Sequence, residues 1–294
     1  MTSSSRPQSF KSELTGSFST PCHDNPTVVM VEAAYRHLGL DWRYVNAEVQ
    51  PDGLAAAVAG ARAMGWRGFN LSMPHKVKVI DHLDGLGESA RLIGAVNCVV
   101  CRDGRLVGEN TDGKGFLSSL VPLRDPRGAR VMLLGAGGAA RAIAVELVLA
   151  GAARLAIVNR SADRGAELAA VVRAARPVEV TSVPWTGDVA IPADVDVLVN
   201  CTSIGLGDAA ARVPVDAATF RPGLVVADVI PNPPRTRFLA EAEAAGCRTL
   251  DGLGMLVGQG VLGVGYWTGQ QHPDAAAAAS LVGAMRRSLE EVFA

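Results

Sequence analysis

The chain has 294 residues, 49% of them hydrophobic and 19% charged, which is ample for a large core and longer than one domain usually runs. Its formal net charge of −1 excludes the basic excess that nucleic acid or an anionic membrane surface demands. No apolar run reaches the roughly 18 residues of a spanning helix, and residues 1–6 are polar and Ser-rich, so a frayed tail and a cytoplasmic address are expected.

In chain order, helical periodicity is expected at 28–38 and 51–64, with strands at 42–45, 68–71, 95–100 and 105–107. Residues 1–111 therefore form an α/β unit with its own core. Within it Cys98 and Cys101 make a C-x-x-C on a β-rich run. Residues three apart on a strand face opposite ways, so their sulfurs cannot share a metal. The odd count of five scattered cysteines is not a disulfide framework either, and no metal site is expected. From 112 to 251 short apolar runs at 131–134, 155–158, 195–199 and 224–229 alternate with Ala-rich helical segments, notably 139–150 and 162–175. Continuous apolar runs of this length suit strands covered on both faces, and the alternation implies right-handed crossovers in a doubly wound parallel sheet. After Asp251 come a glycine-interrupted apolar stretch at 255–267 and a helix from Asp274 to the end, expected to pack back on the first domain.

The strongest local motif is Gly135-Ala136-Gly137-Gly138-Ala139-Ala140, placed after an apolar strand and opening a helix. Gly135 permits the tight turn, Gly137 lets backbone approach a pyrophosphate, and Ala140 is small enough for close helix–strand packing. The helix N-terminus then supplies free N–H groups and a positive dipole end to the phosphates. Dinucleotide sites that prefer the unphosphorylated ribose place a carboxylate about 20 residues further on. This chain has Asn159-Arg160-Ser161 there and Arg164 one helical turn later. Two guanidiniums without a carboxylate predict NADP, with Arg160 stacking on adenine and gripping the 2′-phosphate and Arg164 completing the clamp. Thr202, after a later strand of the same sheet, joins the expected cofactor set.

Three further stretches stand out: Asn70-Leu71-Ser72-Met73-Pro74-His75-Lys76, Gly94-Ala95-Val96-Asn97, and Asn110-Thr111-Asp112-Gly113. Taken singly, Lys76 is an ordinary lysine and Asp112 a good helix N-cap. With the nucleotide motif, and with the later Asp251-Gly252 and Met255-Leu256-Val257-Gly258-Gln259, they closely resemble the shikimate dehydrogenase family over nearly the whole chain. The resemblance implies an N-terminal α/β substrate domain at 1–111, with 252–294 packed against it. It also implies a Rossmann-like NADP domain at 112–251. It implies reversible reduction of 3-dehydroshikimate to shikimate, with Lys76 and Asp112 as the catalytic dyad. Asn70, Ser72, Asn97 and Gln259 would contact the polyhydroxylated ring. Hydride delivery to a ketone builds alkoxide charge, which an ammonium can quench.

The family grips the substrate carboxylate through a Ser-x-Ser near the N-terminus. Two registers compete here, Ser17 with Ser19, or Asn25 with Thr27; the second keeps the length of the following helix and is preferred. It puts Val31 and Glu32 where the family has His-Asn, and Pro231 stands where a tyrosine is usual. These departures fall at the substrate end, so quinate, aminoshikimate or a cyclitol is the alternative substrate, and a non-catalytic NADP sensor the alternative function. A monomer or homodimer is expected.

Overall fold

A computed structural model describes residues 10–270 and 275–294; the expected tail at 1–6 and the expected helix start at Asp274 lie outside them. The first part of the chain runs β1 (Glu13–Ser19), α1 (Thr27–His37), β2 (Trp42–Glu48), α2 (Leu54–Ala63), β3 (Gly68–Leu71), α3 (His75–Lys78), β4 (Gly85–Leu86), α4 (Glu88–Ile93), β5 (Cys98–Arg102) and β6 (Arg105–Glu109). Its six strands form one mixed sheet in the order β2-β1-β3-β5-β6-β4. β1 pairs in parallel with β2 and β3, whereas β5 is antiparallel to β3 and β6.

The periodicity did not announce β1. Leu14 and Phe18 pack into the cluster with Phe69 and Leu71, while Thr15, Ser17 and Ser19 are buried polar residues in alternation with them. A strand at the centre of a sheet, with polar side chains on one buried face, lacks the apolar-in, polar-out pattern. Cys98 and Cys101, both on β5, separate as expected: Cys98 belongs to the core on one face of the sheet, and Cys101 packs against the core on the other.

The second part runs α5 (Asp112–Leu120), β7 (Arg130–Leu134), α6 (Gly138–Leu149), β8 (Arg154–Asn159), α7 (Ala162–Ala175), β9 (Glu179–Pro184), β10 (Val197–Asn200), β11 (Val225–Asp228), α8 (Arg237–Ala244) and β12 (Arg248–Leu250). These strands form a fully parallel sheet in the order β12-β11-β10-β7-β8-β9. Counted within this unit, the order is 3-2-1-4-5-6, a doubly wound Rossmann-like sheet whose direction reverses between β7 and β10. Val131, Leu133, Leu155, Ile157, Val197 and Val199 fill one face and Met132, Leu134, Val158, Leu198 and Val226 the other, so the central strands are covered on both faces, while the edge strand β9 is largely exposed.

The chain closes with α9 (Gly252–Thr268) and α10 (Ala275–Phe293). The glycine-rich stretch is thus a single long helix, although glycine costs up to about 1 kcal/mol per helical position. What it gains is close packing, for α9 lies along α5. Leu281, Met285 and Leu289 of α10 bury against Met30, Val31, Ala34 and Tyr35 of α1, returning the C-terminus to the first sheet. Among the described residues no helix is long and apolar enough to cross a membrane.

Candidate active site

Two cavities open beside the C-terminal ends of the strands. The larger, about 430 Å³, is lined by Gly135, Ala136 and Gly137 after β7, Asn159, Arg160 and Arg164 after β8, Cys201, Thr202, Ser203 and Ile204 after β10, and by Trp185. Gly135 sits at φ +101°, a left-handed conformation, and a Cβ there would come within 3.0 Å of Thr202 Cγ2. Only glycine turns the chain sharply here while the β10 turn closes over it. Ser161 accepts a hydrogen bond from the Arg164 amide and so caps α7, and Asn159 donates to the Ser161 carbonyl. Both guanidiniums thus lie in the cavity at the strand end where a ribose carboxylate partner would otherwise stand. Gly138 and Ala139 open α6 immediately behind the cradle.

The smaller cavity, about 210 Å³, is lined by Ser17, Asn25, Thr27, Asn70, Ser72, Lys76, Asn97, Asp112 and Gln259, together with Leu71, Val229, Pro231, Gly252, Met255 and Leu256. Lys76 lies on α3, anchored by its own carbonyl, which accepts from the Val96 amide at 2.7 Å. Its Nζ donates to Asp112 Oδ2 at 2.6 Å. Asp112 is the first residue of α5 rather than its cap, a correction to the sequence expectation, since Thr111 holds the cap position. The carboxylate therefore sits against the positive end of the α5 dipole, free to face the cavity. Asn97 holds it there: its Nδ2 donates to Asp112 Oδ1 at 2.8 Å, while its Oδ1 accepts from the Thr111 amide at 2.7 Å. Asn70 in turn donates to the Asn97 carbonyl and accepts from the Tyr44 hydroxyl. Gln259, on α9, reaches the Thr111 hydroxyl at 3.5 Å.

Of the residues singled out from sequence, Ser19 alone at the substrate end lies outside this lining; its hydroxyl is buried without a partner. The two N-terminal registers are not exclusive. β1 carries Ser17 into the cavity floor, and the start of α1 brings Asn25 and Thr27 over it, with Asn25 Nδ2 donating to Ser17 Oγ at 3.3 Å. Asn25 is spent on structure at its other end too, for its Oδ1 accepts from the Thr27 amide. Sequence reasoning missed Tyr44 and Asn46, two apart on β2. Tyr44 is the buried partner of Asn70, and burial pushes its phenol well above the usual range. Asn46 accepts from Ser17 Oγ and donates to the Asn25 carbonyl. His75, next to Lys76, is also buried, its Nε2 within 2.7 Å of the Val49 carbonyl. The spacing of Tyr44 and Asn46 was the available signal, since residues two apart share a strand face.

Chemically, the smaller cavity offers an ammonium paired to a carboxylate and a ring of neutral amide and hydroxyl groups. Lys76 is the one cation in its lining, and among the described residues no group of three or more His, Cys, Asp or Glu could hold a metal.

Comparison with known proteins gives two family matches: the shikimate dehydrogenase substrate-binding domain over residues 18–99, and shikimate/quinate 5-dehydrogenase over residues 121–205. The shikimate dehydrogenase (NADP(+)) of Moorella thermoacetica is 42% identical over 258 residues, 86% of this chain and 87% of its own. The ligand-free crystal structure of 5-ketofructose reductase of Gluconobacter sp. strain CHM43 superposes with a TM-score of 0.92 at 57% identity, covering 97% of this chain and 100% of that one. Shikimate 5-dehydrogenase of Thermus thermophilus, in complex with NADP(H) and shikimate, gives a TM-score of 0.79 at 32% identity, covering 94% and 99%.

Proposed function

The chain belongs to the shikimate dehydrogenase family, and from that premise we propose that it is an NADP-dependent oxidoreductase interconverting a ketone and a secondary hydroxyl on a small polyhydroxylated molecule. The reaction of its named relatives, reversible reduction of 3-dehydroshikimate to shikimate, is the first reading. The observation that carries the reaction type is the Lys76–Asp112 pair at 2.6 Å, inside a polar cavity beside the dinucleotide cradle.

The cradle fits NADP on its own chemistry. Gly135, Ala136 and Gly137 would receive the pyrophosphate at the α6 N-terminus, and Arg160 and Arg164 the 2′-phosphate. When bound, the reduced cofactor supplies a hydride to the carbonyl carbon. Lys76 donates a proton to the carbonyl oxygen as negative charge builds on it, and in the reverse direction its neutral amine takes the hydroxyl proton. Asp112 orients the amine and accepts a hydrogen bond from a neighbouring substrate hydroxyl. Asn97, tied to both Thr111 and Asp112, keeps that carboxylate aimed at the cavity. Asn70, Ser72 and Gln259 present neutral donors and acceptors to the remaining hydroxyls, and Thr27 with Ser17 lines the far end. On this reading the enzyme is cytoplasmic and works as a monomer or homodimer.

A second reading rests on a specific observation at that far end. Asn25 is consumed by Ser17 and Thr27, Pro231 stands where the family has a tyrosine, and no arginine or histidine lines the cavity. Such a wall suits a neutral polyhydroxy ketone better than a carboxylate, since a buried anion without paired donors is costly. The 57% identity to 5-ketofructose reductase points the same way. The deciding experiment follows NADPH oxidation with 3-dehydroshikimate and with 5-ketofructose, and NADP+ reduction with shikimate, quinate, aminoshikimate and simple cyclitols. Turnover of 3-dehydroshikimate supports the first reading, and turnover of 5-ketofructose alone the second. NADPH binding without turnover of any of them overturns both in favour of a sensor.

A further inference from the structure

Asp228 ends β11, and its Cα is the register partner of Asn200, which ends β10. Both are buried, Asp228 to 2% exposure and Asn200 to 0%. Neither lines the dinucleotide or the substrate cavity, yet each holds a segment that does. Asn200 Oδ1 accepts from the Thr202 amide at 3.2 Å and the Thr202 hydroxyl at 2.7 Å, and its Nδ2 donates to the Ile204 carbonyl. That clamp shapes the turn at 201–204, the wall of the dinucleotide cavity farthest along the sheet from Arg160. The same Nδ2 also donates to Asp228 Oδ1 at 3.0 Å. On the other side Asp228 Oδ1 accepts from the Ile230 amide at 3.1 Å, and Oδ2 from the Thr236 hydroxyl at 2.7 Å, where Thr236 caps α8. Between these two anchors run Val229 and Pro231, which line the substrate cavity. Gly252 presses on this segment so closely that a Cβ would collide with the Ile230 carbonyl.

We propose that Asp228 is a positioning residue that locks the cofactor-side turn 201–204 and the substrate-side segment 229–236 into one register. The strand order carries the argument. From the arginine clamp after β8 the dinucleotide track passes β7, then β10, and the next strand, β11, delivers the substrate wall. The cofactor-side turn after β10 and the substrate-side segment after β11 leave neighbouring strand ends, and the Asn200–Asp228 bond joins those ends. A backbone error of about 1 Å there misaligns donor and acceptor, and such errors cost about a hundredfold in rate. A carboxylate suits the task because it is acceptor-only: all three donors that face it point inward, so no rotation of its own leaves a donor opposed.

The experiment pairs amide hydrogen exchange by mass spectrometry on the cofactor-free protein with steady-state kinetics, on Asp228→Ala, Asp228→Asn and Asn200→Ala. The kinetic arm rests on the proposed oxidoreductase activity; the exchange arm does not. In Asp228→Ala, peptides covering 201–204 and 229–236 should both exchange about tenfold faster. Asn200→Ala should accelerate both segments as well, although it lies outside them. Asp228→Asn, whose carbonyl can still accept from Asn200 and Ile230 while its amide nitrogen opposes the Thr236 hydroxyl, should recover most but not all of the protection lost in Asp228→Ala. Kinetically, Asp228→Ala should lower kcat at least about tenfold with NADPH Kd held within about threefold, because most cofactor affinity lies at the phosphate cradle. Acceleration confined to 229–236 in Asp228→Ala, or to 201–204 in Asn200→Ala, overturns the proposal. So does an unchanged kcat in folded Asp228→Ala. Should Asp228→Ala fail to fold, Asn200→Ala decides by the same criterion. A wild type that turns over no substrate defeats the functional reading, while the exchange result still tests the lock.

Discussion

Replacing Lys76 by alanine separates the chemistry from the fold. The Lys76 side chain is 34% exposed and its partner Asp112 16%, so the pair is partly solvated and contributes on the order of 1 kcal/mol or less to stability. Asp112 is not orphaned by the change, because Asn97 Nδ2 still donates to it at 2.8 Å. The melting temperature should therefore fall by no more than about 2–4 °C. Turnover is another matter. A positioned acid–base group contributes roughly 10²- to 10⁴-fold, which is about 3–5 kcal/mol of barrier. The assay is NADPH oxidation against the substrate found active, with NADPH affinity followed by fluorescence and folding by thermal melts. The expected pattern is a kcat lower by two to four orders of magnitude, NADPH Kd unchanged because no cradle residue is touched, and partial rescue by a small primary amine that can enter the vacated space. Turnover equal to wild type would refute the assignment of the proton to Lys76, whatever the substrate.

Three other outcomes follow from the same geometry. Arg160→Ala should weaken NADPH about ten- to a hundredfold and NADH by no more than about threefold, the share owed to the lost adenine stack, and an equal loss for both cofactors would remove the 2′-phosphate from its guanidinium. Gln259→Leu should raise KM for the ketone about tenfold with little change in melting temperature, since the side chain faces the cavity and bonds only Thr111 at 3.5 Å; an unchanged KM would take Gln259 out of the substrate set. Burial raises the Asp228 carboxyl to about 6 from its ordinary 3.8, against the pull of its hydrogen bonds to Thr236, Ile230 and Asn200. Its folded pKa is the higher one, so its stabilisation is complete below 3.8 and is lost as pH rises through about 6. Relative to Asp228→Asn, wild type should lose about 3 kcal/mol of unfolding free energy across that window, and a flat difference would refute the shift.

The parts legible in sequence are those whose information is local. The strand, turn and helix around Gly135 are consecutive in the chain, from Arg130 to Leu149, so apolar run, glycines and small Ala140 could be read directly. The alternation announced the four central strands of the parallel sheet for the same reason, each being apolar on both faces, whereas the edge strands β9 and β12, exposed or half-buried and partly polar, gave no such run. What escaped needs partners distant in sequence. β1 has polar residues on a buried face, intelligible only once Tyr35, Asn46 and Asn25 are brought against Thr15 and Ser17. α9 reads as a broken stretch because its glycines pack against α5, some 140 residues earlier in the chain. Asp228 falls inside the apolar run at 224–229, and the three donors bonded to its side chain come from positions 200, 230 and 236.

The same distinction bears on the substrate. The groups that move the proton, Lys76, Asp112 and Asn97, are held by side-chain bonds among themselves and to Thr111, and β2 reaches them only indirectly, through Tyr44 and Asn70. That wall is built separately, from β1, β2 and the start of α1, through Ser17, Asn46, Asn25 and Thr27. A change in the wall can therefore alter which molecule is accepted without disturbing how its carbonyl is protonated. In this chain the wall has turned its donors inward: Asn25 Nδ2 goes to Ser17 and Asn46 Nδ2 to the Asn25 carbonyl. A substrate carboxylate entering there would have to break bonds already made, whereas a hydroxyl could add to the free hydroxyl of Thr27 at little cost. Asn25→Ser tests this directly. If the inward network excludes the anion, the substitution should raise kcat/KM for 3-dehydroshikimate relative to 5-ketofructose, by about tenfold for one charge-assisted bond. A ratio that does not move would show that the wall's internal bonds leave selectivity untouched.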